Sequence, residues 1–303
     1  DHDVINFSYR NYLTKNLITK NNAYINDKVL NVADNYRPDL VVLGHNNILE
    51  RKSLNRIKDK YSSKITLWYE DALGQRGDGP NWRKNLNLIE NNSEFIDQYF
   101  LTTHPDEIKT NISKKKLSYL PIPVDPNIEN LKVYEYKNRY KDLFFALSHG
   151  VNFGKLKKGK NDERETFISN LMNLFPNIKY NILGISNEMP KWNYKFYNEL
   201  AKCKMSLNLS RGKPLKYTSS NRIAALIGNG IFTFIDSKTK FNDFFNNNEV
   251  GFYKDVNDLG NKLEYLLKYP KKINEFGRNG KEKYFKLFNN KLVANNIIDK
   301  TFS

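Results

Sequence analysis

One cysteine, Cys203, is all the thiol in a chain of 303 residues. That excludes an internal disulfide framework and a cysteine-based metal site. Histidine is nearly as scarce, with four residues, and H-E-x-x-H does not occur. No cluster has metal-ligand spacing, so no metal and no other cofactor is expected. Apolar runs stay short of the ~18 residues a membrane helix needs, and no signal-peptide pattern is present. A cytosolic protein is the simplest expectation. Two phosphate-binding fingerprints are also missing: neither G-x-x-x-x-G-K-[ST] nor G-x-G-x-x-G is found. Acidic residues are the last shortage, 33 against 49 Lys and Arg, for a net charge of +16. Nucleic acid, an anionic membrane surface and phosphorylated small molecules all suit that charge. A composition rich in Lys and Asn raises the total without any partner, so local clusters carry more weight.

Hydrophobic content of 39%, with 14% aromatics, is enough for packed cores. The length suits two domains of ordinary size. Short apolar runs alternate with amphipathic segments. "DVINFSY" reads as a strand, Asn26–Tyr36 as a helix, "DLVVLGH" as a buried strand, Glu50–Tyr61 as a helix and "KITLWYED" as a strand. "EFIDQYFLTTHP" reads as a helix turning into a strand. After the Pro-rich segment from Pro121 the pattern restarts: "DLFFALSHG", "KYNILGI", "KMSLNLS" and "IFTFID" as strands between helices, then long helices from Asp255 to about Ile298. Strand–helix alternation of this kind builds parallel sheets. The expected class is therefore α/β, with two Rossmann-like, doubly wound domains facing each other across a cleft. Their expected bounds are 1–125 and 140–285, followed by a helix over 286–303 that packs back on the first domain. Since the chain opens on Asp1 inside a strand-like run, an upstream strand and helix are expected to lie outside this sequence.

Ligands of open parallel sheets bind beyond the carboxyl ends of the strands. One such end, "RGKPLKYTSSNRIAALIGNG", sets Arg211, Lys213, Lys216 and Arg222 around a Ser-Ser pair that precedes an apolar helix. Thr218, Ser219, Ser220 and Asn221 are all good N-cap residues. The helix start would present free N–H groups and a positive dipole end to an anion. Arg211 and Lys216 could flank a diphosphate there. A second loop, "SHGVNFGKLKKGK", supplies His149, Gly150 and Lys160 from the neighbouring strand. For each lysine the competing explanation is a solvated loop. In the first half, His45 follows "LVVLG" and Glu70–Asp71 follow "ITLWY". A carboxylate at such a strand end can take a hydroxyl proton or support a developing cation; the competing role is a cap or a salt bridge. His104 ranks below them, because Pro-Asp-Glu after it reads as a helix start. "GQRGDGPNWR" reads as a flexible lid.

The stretch from Ser210 to Leu267 resembles the C-terminal domain of CgeB-like, family-1-type GT-B glycosyltransferases. It has an Arg-led helix, an apolar run, Gly, a strand ending in Asp, a Phe-rich turn, then "EVGFY" and a D-L helix. "YLPIPVDP" resembles the segment those enzymes place before their domain linker, and "SHGVNFGKLKKGKNDERETFISNL" their first C-domain strand and loop, where an Arg such as Arg164 opens the helix. The resemblance implies a nucleotide-sugar donor held by the second domain, an acceptor held by the first, and no metal. On that basis Arg211, Lys216, Lys160, Ser219, Ser220, Asn221, Arg222, His149 and Gly150 are expected at the donor, and Asp71, Glu70 or His45 in the chemistry. One position departs from the pattern. The acidic residue such chains carry three after the Arg is Ala225 here. Asn221, Asp236 or Glu249 would then have to bind the ribose.

The sequence thus favours a glycosyltransferase acting on a glycan or lipid-linked cell-envelope acceptor, such as a lipopolysaccharide precursor. It would work in the cytoplasm, with peripheral contact at the inner membrane face and no nucleic-acid partner. A non-enzymatic polyanion or nucleic-acid binder, and a nucleotide-sugar binder that has lost catalysis, remain as alternatives.

Overall fold

The computed structural model describes residues 2–8, 22–44, 48–75, 81–148, 163–185 and 188–303. Two parallel sheets organise them. The first has the order β1 (Leu40–Gly44), β2 (Lys64–Tyr69), β3 (Gln98–Leu101), β4 (Leu117–Tyr119). The second has the order β6-β5-β7-β8-β9, built from β5 (Lys141–Ala146), β6 (Tyr180–Leu183), β7 (Cys203–Asn208), β8 (Phe232–Asp236) and β9 (Gly251–Tyr253). Each pairing within them is parallel. Parallel strands need crossover helices, which cover the faces and make the strands apolar on both sides. "DLFFA" and "FTFI" meet that demand.

One face of the first sheet packs on α1 (Asn22–Tyr36), α2 (Arg51–Tyr61) and α3 (Trp82–Glu90), around Leu54, Ile57, Ile65, Tyr99 and Leu101. The second sheet carries α4 (Glu163–Leu174) and α7 (Val256–Leu267) on one face. On the other lie α5 (Asn193–Leu200), α6 (Arg222–Ile227) and the segment around Val133. Next comes α8 (Pro270–Phe288), which approaches the sheet at backbone distance. A Cβ on Gly277 would lie 2.6 Å from the Gly230 carbonyl oxygen, and one on Gly280 2.3 Å from that of Glu249. Larger residues at either point would lift the helix.

The final helix, α9 (Asn290–Phe302), leaves the second sheet altogether. Val293 and Ile297 pack on Trp68, Phe100 and Leu120, the face of the first sheet that α1–α3 leave bare. Its entry is tied to the chain's forward crossing. The Val124 N–H donates to the Phe288 carbonyl at 2.9 Å, and the Asn290 N–H to the Val124 carbonyl at 2.9 Å. Lys281 braces the forward crossing from α8, donating to the carbonyls of Glu129 (2.7 Å), Leu131 (3.1 Å) and Gly228. Burial pulls its ammonium down to about 8.

Local differences from the sequence reading have plain causes. The described part of "DVINFSY", residues 3–8, carries no regular structure where a strand is expected. The helix expected in "EFIDQYF" lies earlier, in "WRKNLNLIE", capped by the Asn81 carboxamide, which accepts from the Lys84 N–H. Part of the expected lid is thus helix. His-Pro-Asp-Glu gives a single 3-10 turn, Pro105–Glu107, not a helix.

Candidate functional site

The carboxyl ends of both sheets face one another. From the first come Glu70 and Asp71 after β2 and Thr102–Glu107 after β3. From the second comes the loop 209–221 between β7 and α6. The two halves come close at Gly74, where a Cβ would stand 2.8 Å from the Leu215 side chain. Thr102 and Tyr119 from the first half and Tyr217, Ser219, Phe241 and Tyr284 from the second line a small cavity in the floor.

Hydrogen bonds and an ion pair bridge the cleft. The Asn221 carboxamide donates to Glu70 Oε2 at 2.8 Å. The Lys216 N–H donates to Glu107 Oε1 at 3.1 Å, and its ammonium pairs with Asp106 at 3.2 Å. The Tyr119 hydroxyl donates to the Tyr217 carbonyl at 3.1 Å. That ammonium holds the Asp106 carboxyl below its ordinary range, with the His104 ring adding to the effect. The His104 ring lies edge-on to Tyr217 at 5.1 Å and 5.9 Å from Tyr119. Burial, then the nearby Lys216, keeps it below the usual imidazole value, so it is neutral at pH 7. Its Nδ1 accepts from the Asp106 N–H at 3.3 Å. The Tyr217 hydroxyl, donating to Asp243 at 2.6 Å, is pushed up to about 12 mainly by that bond.

The helix after β7 starts at Arg222, not Ser220. Asn221 occupies the cap position, but its side chain crosses to Glu70 and does not cap. The two serines are held from beneath by the buried Asn208. Its amide donates to Ser219 Oγ at 2.7 Å, and its carbonyl accepts from Ser220 Oγ at 3.3 Å. A polar residue inside the apolar run "MSLNLS" is the one sequence signal for it.

Arg222 turns inward. Its guanidinium donates to the Ala146 carbonyl and, at 2.9 Å, to the Leu209 carbonyl, with the Phe145 ring 5.3 Å away. Nε is buried without a hydrogen-bond partner. Burial, and then the like charge of the buried Arg164, brings Arg222 down to about 9. A buried Arg164 and a half-buried Arg222 with its Nε enclosed, repelling each other at the carboxyl end of a sheet, make a region ready for an anion.

The other expected residues divide three ways. Arg211 is exposed on the cleft loop. Lys216 is already neutralised across the cleft by Asp106. His45, His149, Gly150 and Lys160 lie outside the described residues. Of the groups that could replace the missing carboxylate at Ala225, Asn221 is engaged by Glu70 and one Glu249 oxygen accepts from the Asn246 N–H at 2.9 Å. Asp236 ends β8 half-buried, its carboxyl raised by burial, with one oxygen accepting from the Lys238 N–H at 2.8 Å.

Residues 163–299 match the family model described as Glycosyl transferase-like. No curated protein sequence matches the chain. Among solved structures, HepE from Anabaena in complex with UDP and glucose is similar at a TM-score of 0.58 and 13% identity, over 93% of this chain and 82% of that one. An α-glucosyltransferase in complex with UDP and a 13-mer DNA gives 0.61 and 12%, over 92% and 83%. Sucrose-phosphate synthase from Thermosynechococcus elongatus gives 0.55 and 11%, over 95% and 79%. The two facing Rossmann-like sheets are those of the GT-B glycosyltransferase fold.

Proposed function

We propose that this chain is a glycosyltransferase that moves a sugar from a nucleotide-sugar donor to a glycan or lipid-linked acceptor of the cell envelope, without a metal. The observation that carries the reading is Arg222: a guanidinium enclosed at the carboxyl end of the second sheet, with Nε unpartnered and Arg164 repelling it. An anionic ligand relieves that repulsion, and a nucleoside diphosphate supplies two phosphate groups. The Glycosyl transferase-like match spans both arginines, and relatives of the same fold hold UDP.

In this reading Arg222 and Arg164 set the positive potential under the leaving diphosphate, and Arg211 closes on it from the loop. Fixed cations stabilise charge that develops on the leaving oxygen without reorganising, which is the task a metal would otherwise perform. Glu70 and Asp71 stand opposite as the acceptor wall. The Asn221–Glu70 bond joins donor loop to acceptor wall. Asp236 takes the ribose role left open by Ala225. The site of action is the cytoplasm, at the inner face of the membrane.

A thermal-shift screen against UDP-, GDP-, dTDP- and CMP-sugars tests the reading. One of the four raises the melting temperature of the native chain and not that of an Arg222→Met variant. Stabilisation of neither protein by any of them overturns it.

A further inference from the structure

The end of the second sheet opposite the cleft is built from strand starts and helix ends, and contacts tie them into one surface. The Lys141 N–H donates to the Lys202 carbonyl at 3.0 Å, joining the starts of β5 and β7. Asp142 accepts from Lys204 Nζ at 2.7 Å and from the Lys179 N–H at 2.9 Å, bringing in the start of β6. Arg139 reaches Asn274 in the first turns of α8. Tyr265 and Tyr269, at the α7–α8 corner, lie 5.0 Å apart, and the Lys272 ammonium stands 4.9 Å over the Tyr269 ring.

Two features of this surface go together. Two of its carboxylates, Asp142 and Glu199, are spent on Lys204 and on Lys191 and Lys202, while Glu264, close enough to act on Tyr180, stays exposed. Lys137, Lys179, Lys268 and Lys271 are exposed and carry no ion pair among the described residues. Among those cations stand Tyr136, Tyr140, Tyr265 and Tyr269, between 38% and 56% exposed, with Leu174 at 54%. Helix-dipole complementarity accounts for a lysine at a helix C-terminus such as Lys268. It accounts neither for Lys137 and Lys179, which lie outside helices, nor for side chains that leave apolar surface in water.

From this pairing we infer that the base of the second sheet seats the protein on an anionic membrane surface. Tyrosine carries an apolar ring and a wet hydroxyl, the combination that settles at a headgroup boundary. Lysine stems lie along that boundary with their ammonium groups on the phosphates. Single-stranded nucleic acid would meet the charge and could stack on the tyrosines, but it has no use for the exposed aliphatic Leu174 and Met172, which a headgroup boundary takes in. The inference stands apart from the donor reading, and it constrains the acceptor. A six-residue strand is about 20 Å long, so the cleft would sit on the far side of the sheet from the lipid. An acceptor that projects from the membrane as a glycan fits that height better than a sugar at the headgroups.

Flotation of the full chain with vesicles tests it. With phosphatidylcholine containing 30 mol% phosphatidylglycerol, the native chain floats at low salt and is released as salt rises. A Lys179→Glu/Lys268→Glu/Lys271→Glu variant loses at least tenfold in binding, as does a Tyr265→Ser/Tyr269→Ser variant, while an Arg211→Ala variant floats as the native chain does. Circular dichroism and the nucleotide thermal shift are run on each, so that loss of fold or of donor binding is read separately. Equal flotation with pure phosphatidylcholine, full binding by the lysine variant, or a stronger hold on a poly-dT oligonucleotide than on the anionic vesicles overturns the inference.

Discussion

At the cleft end of the second sheet Arg222 is enclosed and bonded to two main-chain carbonyls, and Lys216 is paired with Asp106. At the opposite end Lys137, Lys179, Lys268 and Lys271 stand in solvent. Both ends would be marked basic in a sequence. The difference lies in what already holds each charge. An enclosed cation that meets only main-chain carbonyls among the described residues pays desolvation continuously and gains from a desolvated anion at close range. An exposed cation pays little and attracts anions weakly, in numbers and with strong salt dependence. The first arrangement suits one small ligand. The second suits a surface.

The largest effect should come from the acceptor wall. Asp71→Asn or Glu70→Gln, whichever group handles the acceptor proton, should lower turnover by about 10²–10⁴-fold with donor affinity unchanged. Normal turnover in both variants would place the chemistry elsewhere. Next, Arg222→Met removes a cation worth ~1.5–3 kcal/mol per charge-assisted bond to a phosphate. Two such bonds predict a loss of about 10²–10⁴-fold in nucleoside-diphosphate affinity by calorimetry. If affinity holds, the enclosed arginine is structural and the contrast between the two ends collapses.

Arg211→Ala should cost ~10-fold or more, because one exposed charge-assisted pair is lost. Lys216→Ala should cost less than Arg211→Ala, since its ammonium is already neutralised by Asp106. The reverse order would mean that the Lys216–Asp106 pair opens on binding. The smallest effect concerns acid stability. Burial disfavours the Glu199 carboxylate, but hydrogen bonds from Lys191, Lys202 and Asn181 outweigh it and hold the group at about 2 against an ordinary 4.5. A depressed carboxyl stabilises the fold above its unfolded value and loses that contribution as pH falls from 4.5 toward 2. Glu199→Gln should therefore flatten the melting temperature over that window. It also frees Lys191 and Lys202, so binding to anionic vesicles should rise.

Much of this architecture was legible in the chain. "DLVVL", "DLFFA" and "IFTFI" are short, apolar and bounded by polar turns, the form a strand takes when both its faces are covered. The two halves separate at the proline segment for the same local reason. The N-terminal wall was harder. α3 hides behind a Gly-rich loop, because its signal is an asparagine cap and only nine residues. The helix start that Pro-Asp-Glu suggests is one 3-10 turn, and the place of His104 between Tyr119 and Tyr217 depends on the second half closing over it.

The sequence by itself determined the parallel sheets, the strand ends where polar residues collect and the excess of positive charge. These follow from residue-level periodicity and turn chemistry. Only the tertiary structure decided what each charge does. Arg211, Lys216 and Arg222 stand within twelve residues, yet one is exposed, one is tied to Asp106 and one is turned inward onto Ala146 and Leu209. The pairing of Lys216 and the anchoring of Arg222 depend on Asp106 and Ala146, 110 and 76 positions away, and burial and Coulomb interaction act through space and not along the backbone.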